Sequence, residues 1–222
     1  MLLSRVLSAL VLAPIAVAAV YYGAWPFLLF WIVAATVVLW EWNRLVGGLA
    51  RPGWAFLGLV YAGLLLIAPV LLRHDQSYGM AAIFILFAIV WTTDIAGYFA
   101  GRAIGGPKLA PLVSPKKTWS GAIAGLIGSM IVVAAGAQYI GGTRIVPLVA
   151  LAVVLSISSQ AGDLAESALK RRFDVKDASQ IIPGHGGVMD RLDGFWAAVI
   201  CAAVIGVVRG GFSEPAKGLL IW

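Results

Sequence analysis

Seven apolar stretches recur along this chain, at about 6–22, 24–40, 54–72, 80–93, 119–140, 145–159 and 194–208. In lipid hydrocarbon there is no water to bond the peptide groups, so a single spanning segment must satisfy them within itself, as a helix does. A hydrocarbon core of about 30 Å takes about 20 helical residues. Several of the stretches fall short of that, and adjoining residues such as 92–99 and 160–169 are expected to complete them. Hydrophobic residues make up 61% of the chain and charged residues 12%, against about 25% charged in soluble domains, which excludes an ordinary water-soluble fold. The expected fold class is all-α: a polytopic integral membrane protein of about seven transmembrane helices. At 222 residues this leaves room for one transmembrane domain over 1–222, with N-terminal helices in 1–80 and the functional helices and loops in 81–222.

Charge sets the expected orientation. With seven spans, Arg5, Arg44, Arg51, Arg102, Lys108, Lys116, Lys117, Lys170, Arg171, Arg172, Lys176 and Arg191 fall on one side, and only Arg73, Arg144, Arg209 and Lys217 on the other. The positive-inside rule makes the first side cytoplasmic, so the two long polar loops, about 94–118 and 160–193, are expected to face the cytoplasm together. The net charge of +6 is interleaved with the spans instead of collected on a polar face, which argues for anionic headgroups and phosphates as partners and against nucleic acid. Arg5 followed by an apolar run and Ala16, Ala18 and Ala19 also fits a secretory signal, but the run continues through Val20, Tyr21 and Tyr22, and a retained helix is expected. Trp25, Trp40, Trp42, Trp54, Trp91 and Trp119 lie near span ends and read as interfacial anchors. Gly121 with Gly125, and Ala202 with Gly206, read as close helix contacts. Cys201, the one cysteine, is read as packing.

Six of the ten acidic residues crowd into 160–193: Asp163, Glu166, Asp174, Asp177, Asp190 and Asp193, among five cations and His185. Ions are costly to keep near lipid, so such a cluster marks an ion or polar-substrate site. If the sixth span continues as helix past Ser159, then Asp163, Glu166, Ser167 and Lys170 share one face. Pro183-Gly184-His185-Gly186-Gly187 breaks regular structure and exposes N–H groups, a geometry able to form an anion-binding nest. Asp190 and Asp193 follow, with Arg191 between them. Carboxylates converging from separate helix ends suit Mg²⁺, which takes one or two of them plus substrate phosphates. The other loop offers cations and hydroxyls for phosphate: Arg102, Lys108, and Ser114-Pro115-Lys116-Lys117-Thr118 before the fifth span. A metal site and a phosphate site at one membrane face are the parts of phosphoryl or nucleotidyl transfer. Taken singly, Asp163 and Asp190 also fit structural ion pairs, Lys116 and Lys117 also fit the ordinary positive-inside bias, and His185 also fits a loop-shaping or phosphate-binding role. Glu41 beside Trp40 and Trp42 reads as an interfacial cap, and Asp75 and Glu214 as solvated loop residues.

Ser167-Ala168-Leu169-Lys170-Arg171, then after four residues Lys176-Asp177-Ala178-Ser179, then after two more Ile182 through Asp193, resembles the signature of the phosphatidate cytidylyltransferases, the CDP-diacylglycerol synthases. Gln160-Ala161-Gly162-Asp163-Leu164, Gly101-Arg102 and Ser114 to Trp119 are similar to further blocks of that family. The resemblance covers roughly the C-terminal three fifths; the first 80 residues match only in being hydrophobic. Two departures stand out: Asp94-Ile95-Ala96-Gly97-Tyr98 in place of Asp-x-x-Ala-Tyr, and Ser120 where the family pattern has Glu. The chain is also shorter than typical bacterial members, which implies one or two fewer N-terminal helices.

The resemblance implies transfer of the cytidylyl group of CTP to phosphatidate, giving CDP-diacylglycerol and pyrophosphate, at the cytoplasmic face of a bacterial inner membrane. It implies Asp163 and Asp190 as ligands of Mg²⁺, with room for a second cation, and Asp163, Asp190, Asp193, Lys170, Arg171 and His185 as the catalytic set. Phosphate and substrate contacts would come from Arg102, Ser114, Lys116, Lys117, Thr118, Ser167, Lys176 and Arg191. CTP, phosphatidate and membrane lipids are the expected partners; the sequence leaves subunit association open, a homodimer included. Two other classes use similar parts. A CTP-dependent lipid kinase would transfer the γ-phosphoryl to a lipid alcohol and need His185 or Asp193 as base. A transporter would carry ionisable groups near the mid-bilayer of several spans, and the stretches above are nearly charge-free at their centres.

Overall fold

The computed structural model describes residues 2–182 and 186–222. The chain is 78% helical and runs α1 (Leu2–Tyr22), α2 (Ala24–Val46), α3 (Pro52–His74), α4 (Gly79–Ala103), β1 (Lys108–Ala110), β2 (Ser114–Thr118), α5 (Trp119–Gly136), α6 (Ile145–Arg172), α7 (Met189–Gly210) and α8 (Pro215–Leu220). Among the described residues six helices, α2 to α7, are long and apolar enough to cross a membrane. The first of the seven expected spans falls on α1, whose apolar part over Leu10–Tyr22 is shorter. This is a multi-pass membrane architecture. Its apolar surface agrees: Leu29, Phe56, Ile131 and Val208 are each more than 60% exposed, which in water would be an aggregation hazard and in lipid is the solvated face.

Helix boundaries follow local chemistry. Between α2 and α3, Gly47 takes the left-handed conformation at φ 90° and returns its N–H to Asn43 O, and Pro52 opens the next helix where its missing donor costs nothing. Past Ser159, α6 continues through Ala, Leu, Glu and Lys, all good helix formers, and ends on Lys170, Arg171 and Arg172, which complement the negative end of the helix dipole. α4 likewise extends through Asp94 to Ala103.

Three features differ from the sequence expectation. α7 begins at Met189, so Asp190 and Asp193 lie on its first turns and not before them. A short α8, absent from the reading of hydrophobic runs, follows the last long helix and packs against α7. The fold is also not purely helical: β1 and β2 form an antiparallel hairpin with Lys108 opposite Thr118 and Ala110 opposite Ser114. Gly105 and Gly106, at φ 67° and 99°, turn the chain into it. Pro115 is tolerated because a two-stranded ribbon consists of edges only.

Helix pairs approach closely where side chains are smallest. On α5, a Cβ at Gly121 would lie 2.6 Å from Gly97 O, and one at Gly125 2.6 Å from Thr93 O, so α4 and α5 touch along their backbones. On α6 and α7, a Cβ at Gly162 would lie 2.6 Å from Asp193 O, and one at Gly194 2.6 Å from Ser159 Oγ. The second contact brings the polar ends of α6 and α7 together. An aromatic layer joins the N-terminal helices to α7: Trp31 stacks on Phe195 at 5.1 Å and Tyr61 on Trp196 at 4.3 Å. Trp42 belongs to this layer, 5.2 Å from Tyr61, 6% exposed, its Nε1 donating to Trp54 O at 2.7 Å. It is a core residue and not the anchor expected from its position, whereas Trp25, Trp40, Trp91 and Trp119 are exposed.

Filling the α4–α5 contact should be costly. Gly125→Val is expected to destabilise by about 1–3 kcal/mol, as overpacking does, read as a fall of several degrees in Tm in detergent. An unchanged Tm would show that the two backbones do not touch there.

Candidate active site

Antiparallel helices alternate direction, so the C-terminal ends of α2, α4 and α6, the hairpin and the N-terminal end of α7 gather at one end of the bundle. The α6 face expected from spacing is formed. Ser167 Oγ donates to Asp163 Oδ1 at 3.4 Å, and Lys170 Nζ donates to Glu166 Oε1 at 2.9 Å. The face then divides between two partners. Asp163 pairs with Lys117 of β2, and Lys170 reaches across to Asp190 Oδ1 of α7 at 2.5 Å.

The two pairs differ in access. Lys117 and Asp163 keep 29% and 28% of their side chains exposed, whereas Lys170, Glu166 and Asp190 keep 11%, 2% and 6%. A ligand can therefore reach the first pair and not the second. One ammonium between two buried carboxylates is held by mutual attraction in a medium that screens poorly, and Glu166 Oε2 has no hydrogen-bond partner among the described residues. Asp190 has further duties: its Oδ2 accepts the N–H of Ala178 at 2.9 Å and of Gly187 at 2.8 Å. It fastens the 173–188 loop to the start of α7.

Lys116 and Lys117 part company for a simple reason. They are neighbours on a strand, so their side chains point to opposite faces; Lys117 turns inward to Asp163 and Lys116 is exposed. Thr118 caps α5, its Oγ1 accepting the N–H of Gly121 at 3.2 Å. Ser120 shares a hydrogen bond with Thr118 at 3.0 Å and donates to Gly105 O at 2.5 Å, closing the turn that precedes the hairpin. Ser114 pairs with Ala110 at the far end of β2. Among the other expected contacts, Arg102 is exposed and donates to Tyr98 Oη at 3.2 Å, while Arg171 is exposed and donates to Val175 O at 3.1 Å. Lys176 is exposed beside an open cavity of about 720 Å³ that Trp40, Arg44 and Ser179 also line. His185, with Pro183 and Gly184 of the expected anion nest, lies outside the described residues. On either side of them Ile182 and Gly186 exchange reciprocal backbone hydrogen bonds of 2.9 and 3.2 Å.

Three acidic residues have roles that the sequence reading did not assign. Asp94 of α4 lies in the field of Asp163, Lys117 and Arg191, and Asp193 in that of Asp163, Asp94 and Lys170. Asp94, Asp163 and Asp193 are thus carboxyl groups from three helices that feel one another electrostatically. The available signal for Asp94 was an acid inside an otherwise apolar helix. Glu41 of α2 carries the same signal and is fully buried; its carboxylate accepts Ser179 Oγ and the N–H groups of Val188 and Met189. Asp75, expected to be solvated, is 4% exposed and binds the N–H groups of Ser77, Tyr78 and Lys217 at the other end of the bundle. Glu214 is exposed and pairs with Lys217.

Among the described residues no three His, Cys, Asp or Glu side chains converge into a ready-made metal cage. Mg²⁺ does not ask for one, since it retains water and takes phosphate oxygens beside one or two carboxylates. Asp163, with 28% of its side chain exposed, is a carboxylate that a hard cation would fit beside phosphate oxygens, and Asp94 and Asp193 reach it through their electrostatic field. Asp190, with three donors already on its two oxygens, offers less.

Comparison with known proteins shows the family. The model of the cytidylyltransferase family matches residues 47–208. A phosphatidate cytidylyltransferase of Brucella suis biovar 1 is 49% identical over 172 residues, covering 73% of this chain and 59% of that protein. Proteins of the same name from Bacillus subtilis and Rickettsia bellii are 39% identical over 145 residues and 32% identical over 214, the second covering 93% of this chain and 90% of the relative. The chain thus spans about three fifths of the length of its Brucella relative. With the match running from the end of α2 through α7 and taking in every residue of the two charged networks, the chain belongs to the cytidylyltransferase family.

Proposed function

We propose that this chain transfers the cytidylyl group of CTP to phosphatidate, releasing pyrophosphate and forming CDP-diacylglycerol. The observation that carries the reading is the reachable Asp163–Lys117 pair, assembled from α6 and a hairpin 46 residues away, beside a sealed Glu166–Lys170–Asp190 network. A phosphatidate phosphate oxygen would form a bond to the α-phosphorus of CTP while the bond from that phosphorus to the bridging oxygen breaks, and pyrophosphate leaves. The nucleophile is already an anion near neutral pH, so no strong base is required. The barrier is the approach of two polyanions, and fixed cations lower it by electrostatics and positioning.

Lys117 is placed to neutralise phosphate charge, with Lys116, Arg102, Lys176 and Arg191 supplying further positive charge at this end of the bundle. Lys170 and Asp190 hold the 173–188 loop against α6. Asp163 would hold Mg²⁺, with Asp193 and Asp94 in its electrostatic field; Asp190, expected from the sequence as a second ligand, would have to exchange its bonds to Lys170, Ala178 and Gly187 for the ion. When bound, the ion supplies charge neutralisation and orientation of the triphosphate. Asp94 is exposed on α4 among the exposed apolar side chains of Ile95, Tyr98 and Phe99, which supports an opening toward lipid, as a substrate with acyl chains requires. The charge bias supports placing this end of the bundle at the cytoplasmic face of a bacterial inner membrane.

Three measurements test the reading. With phosphatidate, Mg²⁺ and CTP labelled separately on the α- and γ-phosphates, α-label is expected in lipid; γ-label in lipid would replace the reading with a lipid kinase. Lys117→Ala is expected to lower turnover by about two orders of magnitude, as loss of a transition-state electrostatic contact does, whereas Lys116→Ala, on the opposite face of the strand, should cost far less; equal losses would contradict the assignment. A phosphatase reporter active only outside the cytoplasm should be active when fused after residue 142 and silent after residue 177, and the reverse pattern would invert the orientation.

A further inference from the structure

We propose that Glu41 is a positioning residue for the reaction: α2 holds Ser179 and the start of α7 in their working arrangement through this one carboxylate. The proposal rests on the cytidylyl-transfer reading and extends it to a residue outside the 47–208 family match.

Glu41 lies five residues before the end of α2, 0% exposed, and no salt bridge is formed by it among the described residues. A lone buried carboxylate is expensive, and here the compensation comes wholly from the loop and from α7. Oε1 accepts Ser179 Oγ at 2.5 Å and the Val188 N–H at 2.9 Å, and Oε2 accepts the Met189 N–H at 2.7 Å. Val188 and Met189 open α7, so the carboxylate sits at the positive end of that helix's dipole and satisfies donors that the helix itself cannot. Packing is direct: a Cβ at Gly187 would lie 2.6 Å from Glu41 Oε1.

Asp190 completes the clamp from the other side. It takes the N–H groups of Gly187 and Ala178, the latter adjacent to Ser179, and presents Oδ1 to Lys170. Consecutive N–H groups at 187, 188 and 189 are thus divided between Asp190 and Glu41. Releasing Glu41 frees Ser179 and the first turn of α7 together, and with them the register in which Asp190 meets Lys170. The same loop, through Lys176 and Ser179, walls the open cavity beside Trp40 and Arg44. Glu41 touches neither the Asp163–Lys117 pair nor that cavity, and acts through the segment between them.

Glu41→Gln keeps size and one carbonyl oxygen but sets an NH₂ group against a donor. Asp75→Asn is the control, because Asp75 is also buried and also holds three donors but sits at the far end of the bundle. Both variants would be compared with the wild-type protein in detergent by Tm, by transfer of α-label from CTP to phosphatidate, and by amide hydrogen exchange at Ala178, Gly187, Val188 and Met189. Glu41→Gln is expected to lower kcat at least tenfold with the KM for CTP changed no more than about threefold, and to speed exchange at those four amides. Asp75→Asn is expected to lower Tm while leaving kcat and those amides unchanged. A Glu41→Gln variant with wild-type kcat, or with unaltered exchange in the loop, would overturn the proposal, as would an equal loss of kcat in both variants. Absence of α-label transfer by the wild-type protein would instead sink the cytidylyl-transfer reading, and the exchange comparison would still decide whether Glu41 holds the loop.

Discussion

Charge removed from water must find opposite charge or hydrogen-bond donors, and at the polar end of this bundle nearly every such partner comes from a different segment. Asp163 of α6 meets Lys117 of β2, Lys170 of α6 meets Asp190 of α7, and Glu41 of α2 meets the start of α7. These contacts are strong where they are dry and are costly to break one-sidedly. They fix the relative placement of three helix ends and a strand, which loops of glycine, serine and proline could not do alone. The result is a graded site: one ion pair open enough for a ligand, backed by a network too enclosed for one.

Packing sets the stage for that chemistry. Gly162 and Gly194 let α6 and α7 approach until a Cβ would collide, and this draws the acidic residues of the two helices into one field. Gly121 and Gly125 do the same for α5 against α4, so the hairpin leading into α5 is carried over the end of α6. In a lipid-solvated bundle close van der Waals contact is the main attraction between helices, and the smallest side chains occur where the functional groups need to converge.

Much of this was legible in the sequence. The apolar runs gave the helices because hydrocarbon admits little else, and the i, i+3, i+4, i+7 spacing of Asp163, Glu166, Ser167 and Lys170 marked their common face. What that spacing could not reveal was that the face divides between two partners, since the choice lies in the tertiary approach of β2 and α7. The hairpin escaped notice because Ser114-Pro115-Lys116-Lys117-Thr118 carries no alternation of apolar and polar residues. For Trp42 and Glu41, position near the end of an apolar run suggests an interface, and for Asp75 position in a loop suggests solvent, yet a neighbouring helix or loop covers each of them. Asp190 reads from the sequence as a candidate acid, but its backbone partners at Ala178 and Gly187 are set by a tertiary path that only the folded chain defines.

The central claim, that Asp163 anchors a divalent ion against a nucleoside triphosphate, is tested most directly by titrating the purified protein with Mn²⁺ in the presence of a nonhydrolysable CTP analogue and following the free ion by electron paramagnetic resonance. The wild-type protein should bind Mn²⁺ stoichiometrically, and Asp163→Asn should weaken that binding at least tenfold while its Tm holds. Undiminished Mn²⁺ affinity in Asp163→Asn would place the metal elsewhere and contradict the site.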